Sequence, residues 1–299
     1  MKKYFKIFFS ILFLFLFSYY LKNNYRDFLV IKEINLIEFL IISIPQILIF
    51  ILSSTILKIA LKYLETNLTK KEAFSLTMLK RISTYLVTKG GILLNSVYLK
   101  KNHSLDYKKS IALSLYLTIT HLLVISSISL LALIIKKSLF ENLFFSLLFF
   151  LIAFSSIVVL VFPKFIYKII FIKKFKQAIL SWEKYFVHKK LILRILPLGT
   201  SVFLLFNLKL YLIYYFLEYK ISFLNLIIIN ATGFISTNFA ITPAALGIKE
   251  LSMATSANLL NSSFNNTLVV VSADRVIALF WVTILGIYFY YKLMTKKND

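Results

Sequence analysis

Long apolar runs alternate along this chain with clusters of lysine, and the lengths of the runs match a bilayer better than a soluble core. A helix needs about 20 residues to cross the roughly 30 Å hydrocarbon layer. Runs of that order occupy residues 5–21, 34–57, 111–135, 143–162, 193–217 and 268–291, which predicts six spanning helices. The first run follows Lys2, Lys3 and Lys6 but lacks a small-residue cleavage site and ends in Ser18-Tyr19-Tyr20-Leu21-Lys22. It reads as a retained helix rather than a signal peptide.

Two other apolar segments do not fit a uniform span. Residues 74–99 are interrupted by Lys80, Arg81, Lys89 and the pair Gly90-Gly91. This predicts two short helices broken at the glycines, which permit turns and close backbone approach. Such a hairpin either lies amphipathically on the cytoplasmic face or dips into the membrane. Residues 223–264 begin apolar but carry Asn225, Asn230, Thr232, Ser236, Thr237 and Asn238. A turn around Pro243 and Gly247 then leads to a short helix rich in Ser, Ala and Met. Short helices that end inside a membrane are one way transporters aim helix termini at a site between two halves. The predicted fold is an all-α polytopic membrane protein, with about six spanning helices plus two broken or re-entrant hairpins. Residues 1–299 read as a single integral membrane domain.

Composition supports this reading. The chain of 299 residues is 60% hydrophobic and 16% charged, with a mean hydropathy of +0.83. Its net charge of +23 is concentrated beside the spans, notably between the second and third (Lys58 through Lys109) and after the fourth (Lys164 through Lys190). The positive-inside rule assigns both segments, and both termini, to the cytoplasm of a bacterial plasma (inner) membrane. Basic residues next to spans point to anionic lipid rather than nucleic acid. Cysteine is absent and the three histidines are isolated, so no metal site and no cofactor is expected. Nucleotide loops, zinc-protease and nucleophile-elbow motifs are missing too, which argues against an enzyme.

The densest candidate chemistry lies at Ile241-Thr242-Pro243-Ala244-Ala245-Leu246-Gly247-Ile248-Lys249-Glu250. Charge and helix-breaking residues at membrane depth mark a lined cavity or a substrate path. If a helix opens after Gly247, its free N–H groups and positive dipole end favour an anion, and Lys249 adds a mobile positive charge. Asp274-Arg275 in the last span offers the matching partners, as Glu250–Arg275 or Asp274–Lys249. Their job is either to line a headgroup site or simply to lock the turn against the last helix. His121 in the third span either relays protons or, the favoured reading, is a neutral hydrogen-bonded packing residue. Lys209 stands out in mid-run, where it snorkels or faces the interior.

These residues resemble the transmembrane flippase-like region of the lysylphosphatidylglycerol synthase family. One motif is Gly90-Gly91-Ile92-Leu93-Leu94-Asn95-Ser96-Val97-Tyr98-Leu99-Lys100-Lys101, followed by Ser104-Leu105-Asp106-Tyr107-Lys108-Lys109. The other is Thr242 through Glu250, which approaches the family's Thr-Pro-Gly-Gly-Leu-Gly-hydrophobic-Arg-Glu pattern, with Asp274-Arg275 at a later matching position. The chain departs from the pattern at Ile92, where the family has an acid, and at Asn95, where it has Arg. Leu117-Thr118 replaces a Glu-Arg pair, Ala244-Ala245 replaces Gly-Gly, and Lys249 replaces Arg. The resemblance implies a stand-alone membrane member without the soluble aminoacyl-transfer domain.

The combined expectation is a protein that binds, and by extension flips, an anionic phospholipid or polyprenyl-linked headgroup. Lys89, Gly90, Gly91, Pro243, Gly247, Lys249, Glu250, Asp274 and Arg275 are its candidate lining. The alternative is a non-transporting scaffold that holds cytoplasmic or membrane enzymes of envelope glycolipid or polysaccharide synthesis.

Overall fold

The structure is a computed structural model that describes residues 33–86, 90–161, 189–239 and 242–295. The run at 5–21, most of the basic segment after the fourth span, Lys89 and the extreme termini lie outside the described residues.

Nine α-helices form among the described residues. Helix α1, Leu36–Lys62, opens on a capping box: Asn35 Oδ1 accepts from the Glu38 amide at 3.0 Å, and the Glu38 carboxylate accepts from the Asn35 amide at 2.9 Å. Pro45 lies inside α1, where it removes one intrahelical hydrogen bond and favours a bend. Helix α2, Lys70–Leu86, and helix α3, Gly90–His103, form the first broken element. Helices α4, Tyr107–Ile135, α5, Leu143–Val161, and α6, Lys189–Phe216, follow.

The second broken element is α7, Phe223–Asn238, then a 3-10 turn at Pro243–Ala245, then α8, Ile248–Leu259. Helix α9, Phe264–Thr295, ends the described chain. Five helices, α1, α4, α5, α6 and α9, are long and apolar enough to cross a membrane. They coincide with the five expected runs that fall within the described residues.

The main core is built where α4, α6, α7, α8 and α9 meet, around Ile125, Phe203, Ile228, Met253 and Val270. Outward faces carry exposed Phe, Leu and Ile, such as Phe144, Phe154 and Ile287, as expected where lipid rather than water is the solvent. Helices α1 and α6 pack against each other, and α2 packs against α1, α3 and α9.

One expectation about the first broken element is corrected, and one of two open alternatives does not fit. Helix α2 ends at Leu86 and Gly90 opens α3, so the glycine pair begins the second helix rather than forming the break. The pair serves helix packing: a Cβ on Gly91 would stand 2.3 Å from the Lys80 carbonyl oxygen and 2.6 Å from Thr84 Oγ1. Nor does α2 lie on a surface with one face free. Leu76, Thr77, Met78 and Leu79 are consecutive and all buried, which requires neighbours on every side of the helix.

Candidate functional site

The turn of the second broken element is tight and unusual in its residues. Ala244 and Ala245 both adopt left-handed backbone (φ 49° and 56°), and Gly247 follows at φ 80°. Left-handed conformation costs an L-residue with a Cβ about 1–2 kcal/mol, so two alanines here store strain that glycines would relieve. The turn is held from outside. Glu250 Oε2 accepts from the Gly247 amide at 2.8 Å, capping α8, while Glu250 Oε1 pairs with Arg275 at 2.5 Å. Arg275 Nη2 reaches back to the Ala244 carbonyl at 3.3 Å. One carboxylate and one guanidinium thus tie the turn, the start of α8 and the middle of α9 together.

Asp274 gathers two lysines. Lys209 Nζ from α6 lies 2.5 Å from Oδ1, and Lys249 Nζ from α8 lies 3.4 Å from Oδ2. Lys209 also donates to Gln46 Oε1 of α1 at 2.5 Å. Both expected pairs, Glu250–Arg275 and Asp274–Lys249, are present, and Lys209 faces the interior with its side chain fully buried. Gln46 and Asp274 each lie ten residues into their helices, about 15 Å at 1.5 Å per residue, half of a hydrocarbon layer.

The first broken element meets this centre. Helix α2 contacts the Pro243–Ala245 turn. Tyr85 lies within electrostatic reach of Arg275, Asp274, Arg81 and Glu250, and Lys209 senses Arg81 as well as Lys249. Arg81 donates to Ser53 of α1 at 3.2 Å and stacks over the Phe50 ring at 4.8 Å. His121 of α4 senses Lys80 and Arg81 and packs edge-on against Phe234, 5.5 Å between ring centres.

Among the described residues, this centre and the adjoining stretch of α2 thus hold five cations (Lys80, Arg81, Lys209, Lys249, Arg275) against two carboxylates (Glu250, Asp274), a formal surplus of three positive charges. Aromatic faces shelter part of that surplus: Phe50 under Arg81, Phe206 under Lys209 and, at 5.9 Å, Phe234 under Lys249. No carboxylate within 4 Å pairs with Lys80 or Arg81 among the described residues.

Of the candidate residues, Gly247, Lys249, Glu250, Asp274 and Arg275 come together at the centre, and Pro243 opens the turn beside them. Gly90 and Gly91 sit one helix away, where Gly91 lets α3 approach the Lys80 backbone. Lys80, Arg81, Tyr85 and Gln46 are additions that the candidate set did not contain. Gln46 beside Pro45 in an otherwise apolar run is a signal that could have pointed to the last of these.

The architecture and the intramembrane charges define a multi-pass membrane protein built around a polar centre. The description "Lysylphosphatidylglycerol synthase TM region" matches residues 3–286, and the chain belongs to that family. No curated protein and no solved structure matches the chain.

Proposed function

We propose that this protein binds a lipid with an anionic headgroup at the centre described above and carries that headgroup across the bacterial plasma membrane, without chemistry of its own. The observation that carries the reading is the charge imbalance at membrane depth. Burying charge in a low-dielectric interior costs several kcal/mol per ion unless it is matched, so unmatched cations ask for a counter-charge.

The geometry suggests how an anion enters. By the positive-inside rule, the basic segments on either side of α2 and α3 face the cytoplasm, as do both termini. Arg81 is level with Ser53, about 26 Å along α1, whereas Lys209 is level with Gln46, about 15 Å along it. Lys80 and Arg81 thus stand on the cytoplasmic side of the ion pairs and meet a headgroup first. Lys249 is the next cation to yield. Its contact to Asp274 is long at 3.4 Å and its side chain is 16% exposed, whereas Lys209 stays locked to the same carboxylate. Exchange of the Lys249–Asp274 contact for a Lys249–phosphate contact moves the headgroup to mid-depth without leaving Asp274 unpaired.

The test is headgroup accessibility of fluorescent anionic phospholipids in proteoliposomes. Wild type is expected to move them, and a Lys249→Ala variant, which keeps the Glu250–Arg275 and Lys209–Asp274 pairs, to do so much more slowly. No movement by wild type across several anionic lipids would overturn transport. It would favour the scaffold reading, in which the same ion pairs only lock the turn against α9.

A further inference from the structure

We infer that the group this centre accepts carries two or more negative charges, a phosphomonoester or diphosphate, and that a singly charged phosphodiester is a poor match. The inference rests on the anionic-headgroup reading and deepens it.

The argument is charge matching. Among the described residues, five cations and two carboxylates leave a formal surplus of three positive charges. A phosphodiester brings one negative charge and leaves the centre strongly positive. A phosphomonoester carries about −1.5 to −2 near neutral pH, and a diphosphate more. In a low-dielectric setting each unmatched charge is costly, so affinity should climb with ligand charge until the surplus is met.

The donors are arranged for more than one phosphoryl oxygen set. Arg275 Nη1 is buried and has no partner, although Nε and Nη2 of the same guanidinium are engaged. Lys249 is loosely held, as above. Arg81 contributes a second guanidinium, which donates to the Ser53 hydroxyl and lies within electrostatic reach of Tyr85. Lys80 adds a further ammonium beside it, with its stem packed near Gly91. Two guanidinium groups and two lysines on different helices suit an anion with several oxygens on one or two phosphorus atoms.

The experiment holds the lipid tails constant. Binding of dioleoylphosphatidate, dioleoylglycerol pyrophosphate and dioleoylphosphatidylglycerol to the full chain in neutral-lipid nanodiscs is compared, with soluble pyrophosphate as a further arm. The phosphomonoester and diphosphate lipids are expected to bind about tenfold or more tighter than phosphatidylglycerol. That gap should narrow severalfold in Lys80→Gln. Soluble pyrophosphate binding as tightly as its lipid would keep the charge class and assign the ligand as the free anion. Phosphatidylglycerol binding as tightly as the others would overturn this inference while leaving the anionic-lipid reading standing. Binding of none of the four would overturn both. The wild-type comparison decides the matter even if Lys80→Gln fails to fold.

Discussion

The two broken elements reach one centre with opposite electrostatic equipment. The second, α7 through α8, supplies Lys249 and Glu250, and both are matched by Asp274 and Arg275 of α9. Its backbone is strained and its charges are tied down. The first, α2 and α3, has no left-handed residue among its described helical positions and brings Lys80 and Arg81 with no carboxylate within 4 Å among the described residues. On the proposed reading, the charges that hold the fold together arrive with partners, and those kept for the headgroup arrive without. Neutralising a charge should therefore cost stability in the second element and not in the first.

The largest effect belongs to the shared carboxylates. Asp274→Asn strips the counter-charge from Lys209, which is fully buried, and Glu250→Gln does the same to Arg275. Breaking a buried pair from one side costs about 3–5 kcal/mol, so either variant should melt far below wild type in detergent or fail to fold. Retention of the wild-type melting temperature would mean that the ion pairs do not hold the turn.

Next comes the helix contact of the first element. Gly91→Ala places a Cβ 2.3 Å from a backbone carbonyl that cannot rotate away, and should cost about 1–3 kcal/mol. Gly199→Ala in α6 is the control: its Cβ would meet only Val124 at 3.6 Å, an ordinary contact, and gains helix propensity. Equal behaviour of the two in thermal unfolding would contradict the close packing of α3 on α2.

A smaller effect, with the sign reversed, is expected at the turn. Ala244→Gly and Ala245→Gly relieve left-handed strain and should each stabilise by about 0.5–1 kcal/mol, since glycine gives back part of the gain as unfolded-chain entropy. The resemblance placed glycine at both positions. The structure gives the reason glycine suits them.

Smallest is the peripheral network in which Glu72 accepts from Tyr98 at 2.9 Å and contacts His103 at 2.6 Å. Burial and the Glu72 carboxylate both push the Tyr98 phenol up from its ordinary value, so it stays a donor throughout the working range. Glu72→Gln should cost no more than about 1 kcal/mol, because the carboxylate and the imidazole are partly exposed.

The sequence made the spans legible because apolar length is a local property, and five expected runs coincide with five long helices. It also made both ion pairs legible, since Lys249-Glu250 and Asp274-Arg275 are adjacent charges in otherwise apolar surroundings. It did not reveal which cations join them. The Arg81–Ser53 contact spans 28 positions and Lys209–Gln46 spans 163. No periodicity reports such pairings. Lys80 and Arg81 fitted a surface hairpin and a membrane-dipping one equally, because local pattern cannot separate a face turned to water from one turned to a polar centre. The glycine pair was legible as special, but close approach and chain reversal demand the same residue, and the helix boundary alone shows which applies.

The most direct test is the melting temperature of wild type and of the Lys80→Gln/Arg81→Gln double variant in neutral detergent, each with and without an anionic lipid. The account predicts that the double variant is at least as stable as wild type without lipid, and that the lipid raises wild type by several degrees and the variant hardly at all. A double variant that melts well below wild type without lipid, yet gains as much from it, would show that these cations support the fold and that no anion is awaited.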